Sequence, residues 1–178
     1  MAVNFLHIFI ILAIWSNVLD ARTTKTSTSM QGYPDDLDIS GFTKVGKKRY
    51  HFGQSKVSWF RANLICRSMG GYLASFENDD ELSQVSSYLR NTYPTDRIWW
   101  TSGSDLQGEG DFFCYNTGER MKYANWIPGQ PDNASGNEHC INLIFKEYKI
   151  QMNTADCDEV GYYVCEADKP VNVLLTVV

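Results

Sequence analysis

Hydrophobic positions divide the chain into three textures. Phe5 to Trp15 is a short apolar run broken only by His7, and a polar stretch beginning Arg22-Thr23-Thr24-Lys25 follows. From Phe42 the pattern becomes that of a folded domain. Phe42–Val45 and Arg49–Phe52 flank Gly46-Lys47-Lys48 and predict a short β-hairpin. Ser58 stands as an N-cap before WFRANLICRSM, where Trp59, Ala62, Ile65, Cys66 and Met69 share one helical face, and Gly70-Gly71 ends it. Tyr72–Ser75 reads as a buried strand or turn. Asn78 or Asp79 caps a second helix running to about Leu89, with acidic residues in its first turn where the helix dipole favours them.

Past residue 96 helical periodicity disappears. Trp99, Trp100, Phe112, Phe113, Tyr115, Tyr123, Trp126, Tyr148, Tyr162 and Tyr163 are spread among Gly, Asn and Asp. Cys140–Phe145 and Gly161–Glu166 read as strands. Two helices followed by strands and long loops predict an α+β domain over 41–167, after a Thr/Ser-rich linker at 22–40 and before an apolar tail at 168–178. Gly103, Gly110 and Gly118 are candidates for unusual backbone dihedrals.

Composition narrows the setting. The apolar run is about half the roughly 20 residues a membrane span needs, and Ala21 suits cleavage, so residues 1–21 read as a secretory signal peptide. The remainder carries 16 basic and 20 acidic side chains, a net charge of −4 with no basic stripe. That balance gives no electrostatic reason to bind nucleic acid or anionic lipid. Five cysteines at 66, 114, 140, 157 and 165 imply oxidised pairs with one left over in an extracellular protein, in fifteen possible arrangements. No CxxC pair, HExxH motif or nucleophile–base arrangement at recognisable spacing points to a zinc motif or an enzyme.

Three separated blocks carry a resemblance: SWFRANLICRSMGGYLAS, then WWTSGSDLQGEGDFFCYNTGERMKYANWIPGQPDNASGNEHCINL, then MNTADCDEVGYYVCE. Their order and spacing resemble the C-type lectin family, and the WTSG block is similar to that of secreted invertebrate members. The resemblance implies disulfides Cys66–Cys165 and Cys140–Cys157, with Cys114 a buried thiol at an aromatic core position. It also implies a calcium ion held by Gln130, Asp132, Glu138 and Asn153, on a loop with a cis-proline at Pro131. Amide and carboxylate oxygens suit calcium, and two vicinal hydroxyls of a sugar can complete its coordination. Gln-Pro-Asp, against the mannose-type Glu-Pro-Asn, implies a galactose-type preference.

Two departures matter. Thr154 stands where the family has an aspartate ligand, leaving its backbone carbonyl as a weak donor. Ala134 stands where galactose binders often place a stacking Trp, with Tyr148 a conceivable substitute. At the family's second calcium position Asp105 and Glu109 fit, but Asn133 and His139 replace carboxylates, so that position reads as vestigial and His139 as a plain loop or strand side chain. Asn133-Ala134-Ser135 is the one N-glycosylation sequon. The expectation is a secreted, calcium-dependent lectin whose partners are glycans or glycoproteins. The rival reading is a calcium-independent protein-binding domain on the same scaffold.

Overall fold

In the computed structural model the described residues are 27–32, 40–146, 149–167 and 171–176, with side chains described within 40–146 and 149–167. The signal-peptide reading falls outside them, as does Tyr148. The elements in chain order are β1 (Ser27–Gly32), β2 (Thr43–Val45), β3 (Lys48–Val57), α1 (Trp59–Ser68), β4 (Gly71–Leu73), α2 (Asp79–Thr92), β5 (Trp99–Ser104), β6 (Phe113–Cys114), β7 (Glu119–Arg120), β8 (Cys140–Lys146), β9 (Lys149–Ala155), β10 (Gly161–Ala167) and β11 (Val171–Thr176).

Two compact units result. In the smaller, β1 and β11 pair antiparallel, from Ser27 opposite Thr176 to Gly32 opposite Val171. The sequence pattern assigned a strand to neither segment. The larger unit spans Tyr33–Lys169 and is the α+β domain. Its central strand β10 pairs antiparallel with β3 and β4 and parallel with β5, while β5 continues the sheet to β6 and β8, and β8 to β9.

Both helices begin as their caps dictate. Ser58 Oγ accepts from the Arg61 amide at 3.3 Å, and Asn78 Oδ1 accepts from the Glu81 amide at 3.0 Å. The α1 face buries Trp59, Ala62 and Cys66, with Ile65 and Met69 half-buried, and α2 buries Leu82, Val85 and Leu89. Against them lie Trp99, Trp100, Ile141, Leu143, Met152 and Val164, all fully buried. Such large side chains supply most of the apolar burial that drives folding.

Both implied disulfides are present. Cys66–Cys165 ties α1 to β10 across 99 residues, and Cys140–Cys157 closes a 17-residue span from the first residue of β8. In the chain-entropy account the two contribute about 3 to 5 kcal/mol each, the longer loop more. Cys114 is free but only half-buried, beside the exposed Tyr115, so the expected core position is corrected to a half-buried one in β6 between β5 and β7. Burial still pushes its thiol pKa up.

Gly110 and Gly118 have positive φ (76° and 69°), as read from sequence. Gly103 does not. It is there for space: a Cβ at this position meets Ile141 Cδ1 at 2.5 Å.

Candidate functional site

The site is carried by the long loop between β7 and β8 and by the end of β9. Trp126 bridges to Met152, with the Ile127 amide donating to the Met152 carbonyl and the Met152 amide to the Asn125 carbonyl, so the loop is pinned to β9 before it turns. The Gln130–Pro131 peptide is cis, and Asn133 takes φ of 41°. The Gly136 amide then donates to the Asn133 carbonyl, and the chain returns through Glu138 into the disulfide-held Cys140.

This path brings Gln130, Asp132, Glu138 and Thr154 together, with Asn153 beside them on β9. Gln130 Oε1 accepts from both the Thr154 hydroxyl (2.6 Å) and the Thr154 amide (3.1 Å). Gln130 Nε2 donates to Asp132 Oδ1 at 2.9 Å. Thr154 Oγ1 also lies 3.4 Å from Glu138 Oε2, and Ser135 Oγ reaches Glu138 Oε1 at 3.5 Å. Asn153 Nδ2 donates to the Thr154 carbonyl at 2.6 Å, so that carbonyl already has a donor. Thr154 is buried, Gln130, Glu138 and Asn153 are half-buried, and Asp132 is exposed. Asp156 sits apart from the cluster, accepting from Asn137 Nδ2 and the Asp158 amide.

As a donor set these residues fit calcium. Every candidate atom is a carboxylate or amide oxygen, and Asp132 and Glu138 together balance two positive charges. The Thr154 hydroxyl supplies no charge, and in the cluster it acts as a hydrogen-bond donor to Gln130.

At the second position Asp105 and Glu109 hold hydrogen bonds within the loop. Asp105, at the end of β5, is buried, and its Oδ2 accepts from the Gly110 amide at 2.8 Å. Its Oδ1 lies 2.9 Å from His139 Nδ1, and Glu109 Oε2 is 3.9 Å from the same nitrogen. One donor atom from each of Asp105, Glu109 and His139 falls within 4.8 Å of the others. Asn133 links the two constellations: its Nδ2 donates to Glu109 Oε2 (2.7 Å) and its Oδ1 accepts from the Glu138 amide (2.8 Å). The His139–Asp105 contact was not read from the sequence. The available signal was the place of His139 beside Asp105 and Glu109 in the second-position pattern; the contact itself spans 34 residues.

Away from these loops, Lys48 Nζ lies 2.6 Å from Glu81 Oε1 and 3.5 Å from the buried Glu166. The Tyr50 hydroxyl donates to Glu81 Oε1, and the Ser75 amide to Glu166 Oε2. Burial works against the Lys48 charge, but Glu166, Glu81 and Glu77 outweigh it and hold the pKa above its ordinary value. Burial and the same carboxylates push Tyr50 far up. This network staples β3, α2 and β10.

Comparison with known proteins agrees with the geometry. Residues 55–167 match the Lectin C-type domain. C-type lectin 37Da of Drosophila melanogaster is 34% identical over 163 residues, covering 86% of this chain and 87% of that protein. The galactose-specific lectin nattectin of Thalassophryne nattereri is 31% identical over 125 residues, covering 70% and 77%. Among solved structures, the mouse scavenger receptor C-type lectin carbohydrate-recognition domain superposes with a TM-score of 0.64 at 25% identity, covering 74% of this chain and 96% of that one. The chain therefore belongs to the C-type lectin domain family, a family of carbohydrate-binding domains and not of enzymes.

Proposed function

We propose that this protein is a secreted lectin that binds galactose-type glycans through calcium held by Gln130, Asp132, Glu138 and Asn153. The observation that carries the reading is the convergence of Gln130, Asp132, Glu138 and the end of β9 on one cluster of oxygen donors, from positions up to 24 residues apart. Calcium, when bound, takes up two neighbouring sugar hydroxyls as further oxygen ligands. The side chains then choose the sugar: Asp132 and Glu138 accept hydrogen bonds from its hydroxyls, and the Gln130 and Asn153 amides donate to them. The carbonyl of Thr154 is a weak donor at best, because Asn153 already occupies it. The relative named as galactose-specific supports the sugar class. Two disulfides and the apolar run at Phe5–Trp15 support secretion into an oxidising compartment.

Asn133 is proposed to carry an N-glycan beside this site. Its Nδ2 has two hydrogens, and a glycan replaces one, leaving the other to hold Glu109. Treatment of protein from a secreting eukaryotic cell with an N-glycanase should lower its mass; an unchanged mass sinks that part.

The test of the main reading is retention on immobilised galactose in calcium buffer and release by a chelator. One observation favours a second reading: Thr154 satisfies Gln130 Oε1 twice without any ion. A protein that has lost calcium would bind its partner unchanged in chelator, as a calcium-independent protein-binding domain.

A further inference from the structure

Asn142 of β8 is 2% exposed, and its side-chain oxygen has no hydrogen-bond partner among the described residues. A buried acceptor without a donor is costly, so its presence calls for a reason. The strand register shows where a donor can come from. Asn142 stands opposite Trp100 of β5 on one side and Asn153 of β9 on the other, so the three side chains share a sheet face. Trp100 Nε1 is committed to the Val57 carbonyl at 3.0 Å, and Gln151 Nε2, diagonally across on β9, to Asn125 and Trp126. Cys140, two residues along β8 on the same face, is in a disulfide and has no hydrogen to give. Among these neighbours the Asn153 amide is the remaining donor. We propose that Asn142 is a positioning residue for Asn153, accepting from its amide nitrogen and so turning its amide oxygen toward the calcium position; the inference rests on the calcium reading above.

Asn153 Nδ2 is spent on the Thr154 carbonyl at 2.6 Å. In that orientation the amide offers hydrogens where calcium takes only oxygen. A half-turn of the planar amide about its Cβ–Cγ bond exchanges oxygen and nitrogen, and this torsion is broad and roughly two-fold. The turn frees the Thr154 carbonyl and sends Nδ2 away from it. The loop flanks β9 on one edge, where the Thr154 amide meets Gln130, and β8 flanks the other. Nδ2 then has the Asn142 oxygen as acceptor, and its second hydrogen stays available to a sugar hydroxyl. Asn142 thus favours the orientation with oxygen outward, against the reverse one that the Thr154 carbonyl holds. Partners of this kind orient metal ligands widely.

The experiment uses the oxidised full-length protein, stripped with chelator, and reads calcium affinity by calorimetry and stability in chelator by urea midpoint. Asn142→Leu keeps the volume and removes the orphaned oxygen. Calcium affinity should fall on the order of tenfold, while the midpoint in chelator holds or rises. Asn142→Val carries the same expectation and serves if the leucine variant folds poorly. In an Asn153→Ala background, Asn142→Leu should cost no further affinity, because the two residues act as one unit. Wild-type uptake left unchanged by Asn142→Leu and Asn142→Val overturns this inference alone, as does an equal loss in the Asn153→Ala background. A midpoint in chelator that falls with the affinity assigns Asn142 a merely structural role and also overturns it. Wild-type protein that takes up no calcium at millimolar concentration overturns the calcium reading itself, and this inference with it.

Discussion

Thr154 decides how strongly the candidate calcium position can bind. It is buried between Gln130 and Glu138, and its hydroxyl spends its proton on Gln130 Oε1. Replacing it by Asp puts a third carboxylate against two acceptor oxygens. Without metal those oxygens repel, and with metal the added charge attracts in a partly desolvated setting. Thr154→Asp should therefore lower the chelator-treated melting temperature yet raise calcium affinity on the order of tenfold, about 1.4 kcal/mol. Melting curves with and without calcium read both effects, and an equal shift in the two conditions contradicts the assignment. Asp132→Ala and Glu138→Ala should abolish sugar retention while circular dichroism stays native, because neither carboxylate braces the core. Gln130, Asp132 and Glu138 were legible because a turn tripeptide, a fixed spacing and flanking cysteines sit in one short segment. The His139–Asp105 contact was not, because it joins residues 34 apart in sequence.

At the level of elements, the helices were readable from their caps, and the strands less so. All six residues of β5, WWTSGS, are buried, so it shows no alternation, and its small polar residues look like loop. In β9 the in-out period of Ile150, Met152 and Thr154 is present, but its polar end carries the site and hides the pattern. The Lys48–Tyr50–Glu81–Glu166 network, which joins β3, α2 and β10, makes a pH prediction. Lys48 and Tyr50 both hold their protons more tightly folded than unfolded. Above roughly pH 10 the unfolded chain releases protons that the folded one retains, so stability present below that pH is lost as it rises. Urea midpoints should fall between pH 9 and pH 11, and less so in Tyr50→Phe; an equal fall in both proteins excludes the network as a cause. Lys48→Met should destabilise by on the order of 2 kcal/mol, because Glu166 is left buried without its cation. The disulfides offer a separate check. Alkylation without reduction should modify one cysteine, Cys114, slowly when native and fully when unfolded; a second labelled cysteine contradicts the pairing.

For the molecule as a whole, the fold places rigid elements under the loop that carries the candidate site. The pairing of β7 with β6 holds the start of the loop, the Trp126–Met152 bridge its middle, and β8, β9 and the Cys140–Cys157 disulfide its end. A site fixed this way loses little conformational freedom on binding, which favours selectivity among similar sugars. What unites these features is the claim that one calcium ion and one sugar bind together at Gln130, Asp132, Glu138 and Asn153. Calorimetric titration of calcium into the chelator-stripped protein, with and without galactose, tests it most directly. The account predicts one calcium site removed by Asp132→Ala, with affinity that rises when galactose is present, since linked ligands strengthen each other reciprocally. Calcium uptake unaffected by galactose and by Asp132→Ala, or no uptake at millimolar calcium while target binding persists, would contradict it.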